Sequence, residues 1–296
     1  MKKISIIFAF VIVFSMLFQA IAFSSPNTVP NTCSSGVYPI SSPISRGIQR
    51  ALGLNILTTW MAEFAIKNQI SKLIQKGNVN VHLKAYSAGD LLAGKIKSFD
   101  ITGKNIVYND IYVSSLKAQS LCNFTYFNYA KTPAELNSPL FIKYNAEINN
   151  SDFQKIFSSD PIKEALQGIK LNISNMDLGE VDFTDIKTNI ANEKINIKAN
   201  LVYRKSLFTF TFPVSLETSL KVKDDKILLT NLKFAPDSAH DELRFVTNSL
   251  ELNNINIFNL KTLEKNGSEI NIKKVKIIDD KISIEGTFWQ PQNTTL

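Results

Sequence analysis

The feature that most constrains the fold of this chain is a strict alternation of apolar and polar residues. In the stretch LFTFTFPVSLETSL, one face of an extended strand would carry Phe208, Phe210, Phe212, Val214 and Leu216. Successive side chains of a strand point to opposite faces, so one face can lie on a core while the other meets water. The same period recurs in VNVHLKA, IKLNI, INIKANLVY, INIKKVKII and KISIEG. The alternation predicts a chain rich in antiparallel sheet.

One long segment has a helical period instead. Apolar residues recur at three- and four-residue steps and predict a helix from Ile56 to Gln75, ended by Gly77. Its apolar stripe is wide and includes Trp60 and Phe64. A stripe of this width predicts that the helix is deeply buried.

A second, shorter helical segment interrupts the strands at NNSDFQKIFSSDPIKEALQG, with Ser151 as a candidate cap, Pro161 in a first turn and Gly168 at the end. About ten one-faced strands with only two or three helices would leave too much apolar surface in water if the sheet were flat. We therefore expect an α+β fold, in which a strongly curved antiparallel sheet wraps around the long N-terminal helix. This single domain is predicted to span residues 44–290, with a frayed tail at 291–296.

The N-terminus has the three-part layout of a secretory signal peptide. Lys2 and Lys3 precede an almost wholly apolar run, 4–18, and small residues follow in AIA, which predicts a signal peptide over residues 1–22. The alternative is an uncleaved membrane anchor, because the run is about long enough to span a bilayer. In both cases we expect the rest of the chain to be extracytoplasmic, either periplasmic or secreted. Residues 23–43 are rich in Ser, Pro, Asn and Thr and predict an extended lead-in.

The formal net charge is +7, and it becomes +5 once residues 1–22 are removed. The lysines are scattered over alternating positions, which is typical of a solvated sheet face first and of a surface that binds anions second. We expect no nucleic-acid partner, because the chain has neither a basic helix nor an aromatic-basic recognition motif. Cys33 and Cys122 both follow the signal segment. They are candidates for a disulfide, which their spacing alone does not decide.

The sequence offers little support for catalysis. It contains no G-x-S-x-G, no P-loop, no H-E-x-x-H and no dinucleotide fingerprint. His82 falls on a polar strand face and is predicted to face water, and His240 lacks a second metal ligand at helical spacing. The pairs Asp224–Asp225 and Asp279–Asp280 are predicted to form hairpin turns. We therefore expect a protein that is not an enzyme and needs neither a metal nor a cofactor.

The apolar residues suggest a different class of function. A lipid pocket needs a run of apolar side chains and only a few polar groups at its mouth. The candidates for such a lining are Trp60 and Phe64 on the helix, and Phe208, Phe210, Phe212 and Leu216 on the strand. The alternative for each of them is an ordinary dry core, because periodicity does not distinguish a core from a cavity.

A short turn-like block, SAGDLLAGKIK, holds two adjacent leucines that a turn does not require. Leu91 and Leu92 either tuck back onto the core or form the apolar rim of a lipid mouth. In the second case Lys95 and Lys97 would lie near a lipid phosphate. A rim of leucines would also suit a tip that touches a membrane.

The block YSAGDLLAGKIKSFDITGKNIVYNDIYVSSLKAQS resembles the bacterial LmeA-like phospholipid-binding family, formerly a domain of unknown function. The matching residues are Leu91, Leu92, Gly94, Lys95, Ile96, Phe99, Ile101, Ile111, Val113 and Leu116. The segments FIKYNAEINNSDFQKIF and PIKEALQGIKLNI are similar to the family's strand, helix and following strand, and LKTLEKNGSEINIKKVKIIDDKISIEG is similar to its closing strands. The resemblance runs from about Leu54 to Phe288. It implies an envelope protein that binds phospholipid, with a fold like that of tubular lipid-binding proteins.

Two functions of different classes follow from these observations. The first is an extracytoplasmic phospholipid-binding protein that carries lipid or supports envelope maintenance. Its partner would be a phospholipid, or another apolar ligand with an anionic head, with peripheral membrane contact. The alternative is a non-enzymatic structural or interaction module of the envelope, with a dry core and a sheet edge that binds peptide.

Overall fold

The computed structural model describes residues 33, 39–108, 111–128, 135–173, 176–205, 208–234, 255–259, 264, 267–292 and 294–295. The predicted signal peptide, 1–22, most of the predicted lead-in, 23–43, and His240 lie outside the described residues. Within the described part the predicted class is confirmed, because the chain is α+β with antiparallel sheets and a long helix near its N-terminus. None of the described helices is both long and apolar enough to cross a membrane.

The described residues form five helices and sixteen strands. The helices are α1 (Pro43–Ala51), α2 (Leu54–Leu73), α3 (Ala88–Leu92), α4 (Asn150–Phe157) and α5 (Asp160–Ala165). The first eight strands are β1 (Lys76–Lys84), β2 (Lys95–Ile96), β3 (Ser98–Tyr108), β4 (Ile111–Ser120), β5 (Thr125–Asn128), β6 (Glu135–Leu136), β7 (Leu140–Asn149) and β8 (Ile169–Ile173). The other eight are β9 (Met176–Ala191), β10 (Lys194–Lys205), β11 (Phe208–Lys223), β12 (Lys226–Phe234), β13 (Ile255–Asn259), β14 (Glu269–Ile278), β15 (Lys281–Gln290) and β16 (Thr294–Thr295).

The strands form two large sheets and one small one. The first sheet has the order β1-β3-β4-β7-β15-β14, and the second has the order β13-β12-β11-β10-β9-β8. A small sheet of β16, β6, β5 and β2 lies beside them. Thr294 and Thr295, in the predicted frayed tail, pair with Leu136 and Glu135 of β6. Most neighbours in the second sheet are consecutive in sequence, whereas the first sheet joins strands from both ends of the chain.

Two of the tight hairpins in the described residues form where the acidic pairs were predicted to turn. Asp224 and Asp225 join β11 to β12, and Asp279 and Asp280 join β14 to β15, all four with positive φ. Two consecutive residues with positive φ are what a two-residue type I′ hairpin turn requires, and Asp tolerates that conformation better than most residues. The prediction that these acids form turns is confirmed.

The apolar strand faces are buried in two cores. The first core lies where α2 packs on the first sheet and includes Ile66, Ile70, Val79, Leu83, Ile101 and Phe288. The second core lies where α4 packs between the sheets and includes Phe153, Phe157, Val181, Leu201, Leu216 and Ile284. Helix α4 contacts β9 of the second sheet and both β4 and β7 of the first. The shorter of the two predicted helical segments is therefore the one that joins the sheets.

Two predicted helix ends are wrong. Helix α4 is capped by Asn149, whose side-chain oxygen accepts a hydrogen bond from the backbone nitrogen of Asp152 at 2.8 Å, and Ser151 lies inside the helix. Asn caps a helix as well as Ser does, so the sequence NNS alone does not show which residue is the cap. Strand β7 ends at Asn149, and the helix begins directly after it. Helix α2 ends before Ile74, which is already extended, and Gly77 lies in β1.

Tyr144 on β7 packs against both cores and depends on a glycine opposite it. It pairs across the strands with Gly286, and its hydroxyl donates to the carbonyl oxygen of Asn271 at 3.3 Å. A Cβ atom at Gly286 would overlap the Tyr144 ring and that same carbonyl oxygen. Burial raises the pKa of Tyr144, and the nearby charge of Asp225 raises it further. Tyr144 is thus a neutral hydrogen-bond donor at the point where the two cores meet.

A buried carboxylate positions the start of α1. Both oxygens of Asp90 are used: one accepts from the backbone nitrogen of Ser41 at 2.8 Å, and the other accepts from the hydroxyls of Ser41 at 2.5 Å and Ser87 at 2.7 Å. Ser87 in turn caps α3, because its hydroxyl accepts from the backbone nitrogen of Asp90 at 3.0 Å. Burial alone would raise the pKa of Asp90, but the hydrogen bonds from Ser41 and Ser87 and the charge of Lys95 hold it below its ordinary value.

A disulfide attaches Cys33, which precedes α1, to Cys122 in the loop between β4 and β5. Cys33 and Cys122 are joined with an S–S distance of 2.03 Å and a Cα–Cα distance of 5.6 Å. The segment before α1 is thus held at Cys33 by a covalent bond and at Ser41 by Asp90. These two attachments set where α1 begins.

We predict that Gly286→Ala destabilises the protein by about 1–3 kcal/mol, because the added methyl overpacks Tyr144 and the Asn271 carbonyl. The midpoint of urea unfolding measures the effect. Gly47→Ala in α1 is the control, since no atom lies within 4 Å of its Cβ position. Equal midpoints for Gly286→Ala and wild type would contradict the packing described for Tyr144.

We predict that Asp90→Asn destabilises the protein at neutral pH by about 1.5–3 kcal/mol, the range for hydrogen bonds to a charged group. The folded-state pKa of Asp90 lies below the unfolded value of 3.8, so its stabilisation is full above that value and is lost as the pH falls through the folded pKa. The difference in unfolding free energy between wild type and variant should therefore shrink below about pH 4. Asp160→Asn, at an exposed carboxylate, is the control; a pH-independent difference for Asp90→Asn would contradict the assignment.

Candidate functional site

Within the described ranges, two groups of neighbouring apolar side chains face solvent, and both include residues singled out in the sequence. The first is the helical outer face, formed by Ile44, Ile48 and Leu52 at α1 and by Ile56, Leu57, Trp60, Met61 and Phe64 on α2. The second is the phenylalanine ladder, formed by Phe208, Phe210 and Phe212 on β11. Large exposed apolar patches on a folded chain mark places where it meets a ligand, a partner or a membrane.

The predicted deep burial of the long helix is wrong for its first half. Trp60 is 61% exposed and Phe64 is 55% exposed, and their rings stack with centroids 5.9 Å apart. Only Ile66 and Ile70, in the second half of α2, are buried within the helix. The reason is that the sheet covers one side of α2, while these two rings project from the other.

Polar contacts hold α2 against β1 with this orientation. Glu63 accepts a hydrogen bond from the backbone nitrogen of Leu83 at 2.7 Å, and its carboxylate lies 3.0 Å from Nδ1 of His82. Lys67 donates to the side chain of Asn80 at 3.1 Å, one helical turn further along. The helix therefore runs antiparallel to β1. The predicted exposure of His82 is confirmed, since two thirds of its side chain meets solvent.

Helix α1 was not predicted, because residues before 44 were interpreted as an extended lead-in and the long helix was expected from Ile56. The signal was present in the sequence. Ser42 followed by Pro43 is a helix start, and Ser42 does accept a hydrogen bond from the backbone nitrogen of Ser45. Ile44, Ile48 and Leu52 then recur at four-residue steps. Gly53, with φ of 67°, supplies the left-handed residue between α1 and α2.

The structure separates the two adjacent leucines of α3. Leu91 is 6% exposed and belongs to the first core, whereas Leu92 is 56% exposed. Helix α3 also touches the start of the helical outer face. Its Ala88 nitrogen donates to the side chain of Asn55 at 2.6 Å, and its Gly89 nitrogen donates to Gln49 at 2.8 Å. Leu91 therefore fits the core role, and Leu92 is the one placed to meet a ligand or membrane.

The two lysines expected near a phosphate lie against aromatic rings. The ammonium group of Lys95 is 5.6 Å from the centre of the Tyr126 ring and donates to the carbonyl oxygen of Pro39. The ammonium group of Lys97 is 6.0 Å from the centre of the Tyr86 ring. Lys95 thus helps to hold the segment before α1, while Lys97 is exposed.

The phenylalanine ladder runs from solvent into the second core. Phe208 is 66% exposed and Phe210 is 49% exposed, while Phe212 packs against that core. The rings of Phe208 and Phe210 stack with centroids 6.4 Å apart, and those of Phe210 and Phe212 are 6.2 Å apart. On the same face of the strand, Val214 and Leu216 are buried. The two sets of predicted lining residues therefore lie on different elements, Trp60 and Phe64 on helix α2 and the phenylalanines on strand β11 of the second sheet.

No three His, Cys, Asp or Glu side chains within the described ranges are grouped so that they could hold a metal ion. The chemistry of both exposed surfaces is instead that of apolar contact with cations nearby. At the ladder, Lys205 pairs across the strands with Phe208 and is exposed. At the helical outer face, Lys67 follows Phe64 along α2.

Comparisons with known proteins identify the family of this chain. A search of curated proteins and a search of solved structures gave no match. A family model described as LmeA-like phospholipid-binding matches residues 55–287, which is more than three quarters of the chain. The match takes in α2, the exposed leucine of α3 and the whole of β11. The chain therefore belongs to the LmeA-like phospholipid-binding family.

Proposed function

We propose that this protein is an extracytoplasmic phospholipid-binding protein that carries lipid or supports maintenance of the cell envelope. Family membership supports the phospholipid class of ligand. The observation that carries the proposal is the apolar face of β11, which is continuous from exposed rings to a buried core. If β11 only contributed to a dry core, its exposed end would be expected to carry polar side chains rather than stacked aromatic rings.

The location outside the cytoplasm is supported from two sides. The N-terminal 22 residues have the layout of a secretory signal peptide. The chain also joins Cys33 to Cys122, and disulfides persist mainly in oxidising compartments. Each observation is independent of the family match.

The phenylalanine ladder has the dimensions and polarity of an acyl-chain contact. From Phe208 to Phe212 the strand rises about 13 Å at roughly 3.3 Å per residue. Half of a bilayer's hydrocarbon core is about 15 Å thick, so the ladder can contact most of the length of a lipid tail. Lys205 stands beside Phe208 at the solvent end, where a phosphate would be placed if the tail points toward Phe212.

The other half of the contact is formed by strand β10. Phe210 pairs with Tyr203 and Phe212 pairs with Leu201, so two of the three ladder residues have an aromatic or apolar neighbour across the strands. Leu201 is fully buried and Tyr203 packs against the second core. A tail on the ladder would thus extend the second core outward, with the free energy of apolar burial as its driving force.

We predict that protein purified from cells co-purifies with phospholipid, and that Phe208→Ser with Phe210→Ser lowers the lipid per protein at least fivefold. Both rings are largely exposed, so the free energy of unfolding should change by less than about 1 kcal/mol. Solvent extraction followed by mass spectrometry measures the lipid. Ile278→Ser, at an exposed apolar residue far along β14, is the matched control. Wild-type protein without lipid would contradict the proposed function, and unchanged lipid in the double variant would contradict this site.

We predict that the mature chain begins at Phe23 and contains no free thiol. Intact-mass measurement before and after reduction checks both points, because a disulfide lowers the mass by two hydrogens. Retention of residues 1–22 would favour the anchored alternative. Two free thiols in protein isolated without reductant would contradict the extracytoplasmic location.

A further inference from the structure

Helix α2 carries two apolar faces on opposite sides. At about 100° per residue, Ala62, Ile66 and Ile70 cluster on one side of the helix. They pack into or against the first core. On the same helical wheel the residues Ile56, Leu57, Trp60, Met61 and Phe64 are centred roughly 180° away. An ordinary surface helix has a polar outer face, so the helical outer face is a departure that packing among the described residues does not explain.

Helix α1 extends this exposed surface. Ile44, Ile48 and Leu52 are each more than half exposed, and α1 contacts α2 directly. The contacts from Ser41 to Asp90 and from Gly89 to Gln49 hold α1 in place from its polar side. Hydrogen bonds thus fix the polar side of α1, and its apolar side chains face solvent.

The charge of the chain is concentrated in the same segment. Residues 39–97 contain eight Lys and Arg and two Asp and Glu, a net charge of +6. Residues 98–296 contain 23 basic and 24 acidic residues, a net charge of −1. Both acids of the first segment are also engaged: Asp90 is buried by Ser41 and Ser87, and Glu63 is bound by Leu83 and His82. Positive charge and exposed apolar side chains therefore coincide in one segment of the chain.

This combination favours a lipid surface over a second copy of the chain. A twofold dimer through the helical outer face would bring two segments of +6 together, which like-charge repulsion opposes. An anionic bilayer surface attracts the cations and accepts the apolar side chains in its headgroup region. Trp is suited to that region, because its ring is apolar and its indole N–H can still meet water.

We propose that the helical outer face docks the protein on the surface of an anionic phospholipid bilayer, with Trp60 and Phe64 inserted among the headgroups. This docking goes beyond the binding of a single phospholipid at the phenylalanine ladder, which lies on the other sheet. Arg50 in α1 and Lys97 after β2 are exposed cations of the same segment, residues 39–97. Leu92 on α3 adds a further exposed apolar side chain next to α1 and α2.

The test is co-sedimentation of the full chain, as processed by the cell, with vesicles of phosphatidylcholine alone or with 30% phosphatidylglycerol, roughly the anionic share that gives a strong surface potential. We expect binding to the anionic vesicles that weakens as salt is raised and is much weaker on phosphatidylcholine alone. Trp60→Ser with Phe64→Ser should weaken binding at least tenfold, and Ile278→Ser should not. Arg50→Gln with Lys97→Gln should lower binding to the anionic vesicles only.

Tryptophan emission gives a second readout of the same contact. The chain has two tryptophans, and the indole nitrogen of Trp289 is buried while Trp60 is exposed. Emission should shift to the blue when anionic vesicles are added, and Trp60→Phe should abolish the shift while vesicle binding is retained. A shift that persists in Trp60→Phe would overturn the insertion of Trp60.

The outcomes separate this inference from the proposed function. Phe208→Ser with Phe210→Ser should lose co-purified lipid and keep vesicle binding, and Trp60→Ser with Phe64→Ser should show the opposite. Absence of wild-type binding to anionic vesicles would overturn the docking inference alone. A dimer in analytical ultracentrifugation that Trp60→Ser with Phe64→Ser dissociates, without vesicle binding, would overturn it in favour of a second copy of the chain.

Discussion

The fold depends on covering one apolar face of each long strand with very little helix. Helix α4 solves most of this problem, because Phe153 and Phe157 reach strands of both large sheets at once. The sheets also cover each other where β14 approaches β11. Tyr144 completes the junction by packing against both cores over Gly286. The rest of the architecture follows from this shared interior, since helix α2 is then needed only at one edge of the first sheet.

The two exposed surfaces lie where the described helices and sheets no longer cover the apolar side chains. On β11 the apolar face continues past the second core, so Phe208 and Phe210 emerge into solvent. On α2 the sheet covers one side, and the opposite side is apolar too. Exposed apolar area on this scale lowers solubility. Its presence on a folded chain therefore indicates a site that binds a ligand, a partner or a membrane. Because the chain belongs to a phospholipid-binding family, we propose lipid as the partner of both surfaces.

Much of the fold was predictable from alternation and turn chemistry. The antiparallel strands, the α+β class and the Asp224–Asp225 and Asp279–Asp280 turns depend on neighbours in sequence, where the physical rules are strong. The burial of the long helix was predicted less well. The rings of Trp60 and Phe64 were expected inside the sheet, because a wide apolar stripe is the usual mark of a buried helix. Periodicity shows which residues share a face, but it does not show whether another element covers that face.

The sequence by itself determined the strand-rich class, the family through its Leu91–Leu92 block, and the grouping of Phe208, Phe210 and Phe212 on one face. These properties follow from local spacing, which fixes side-chain direction once the backbone is extended or helical. Only the tertiary structure decided that Leu91 is buried and Leu92 exposed, and that Asp90 holds Ser41. It also decided that α2 shows an apolar side to solvent. Burial is a property of how distant segments pack, and no local pattern contains it.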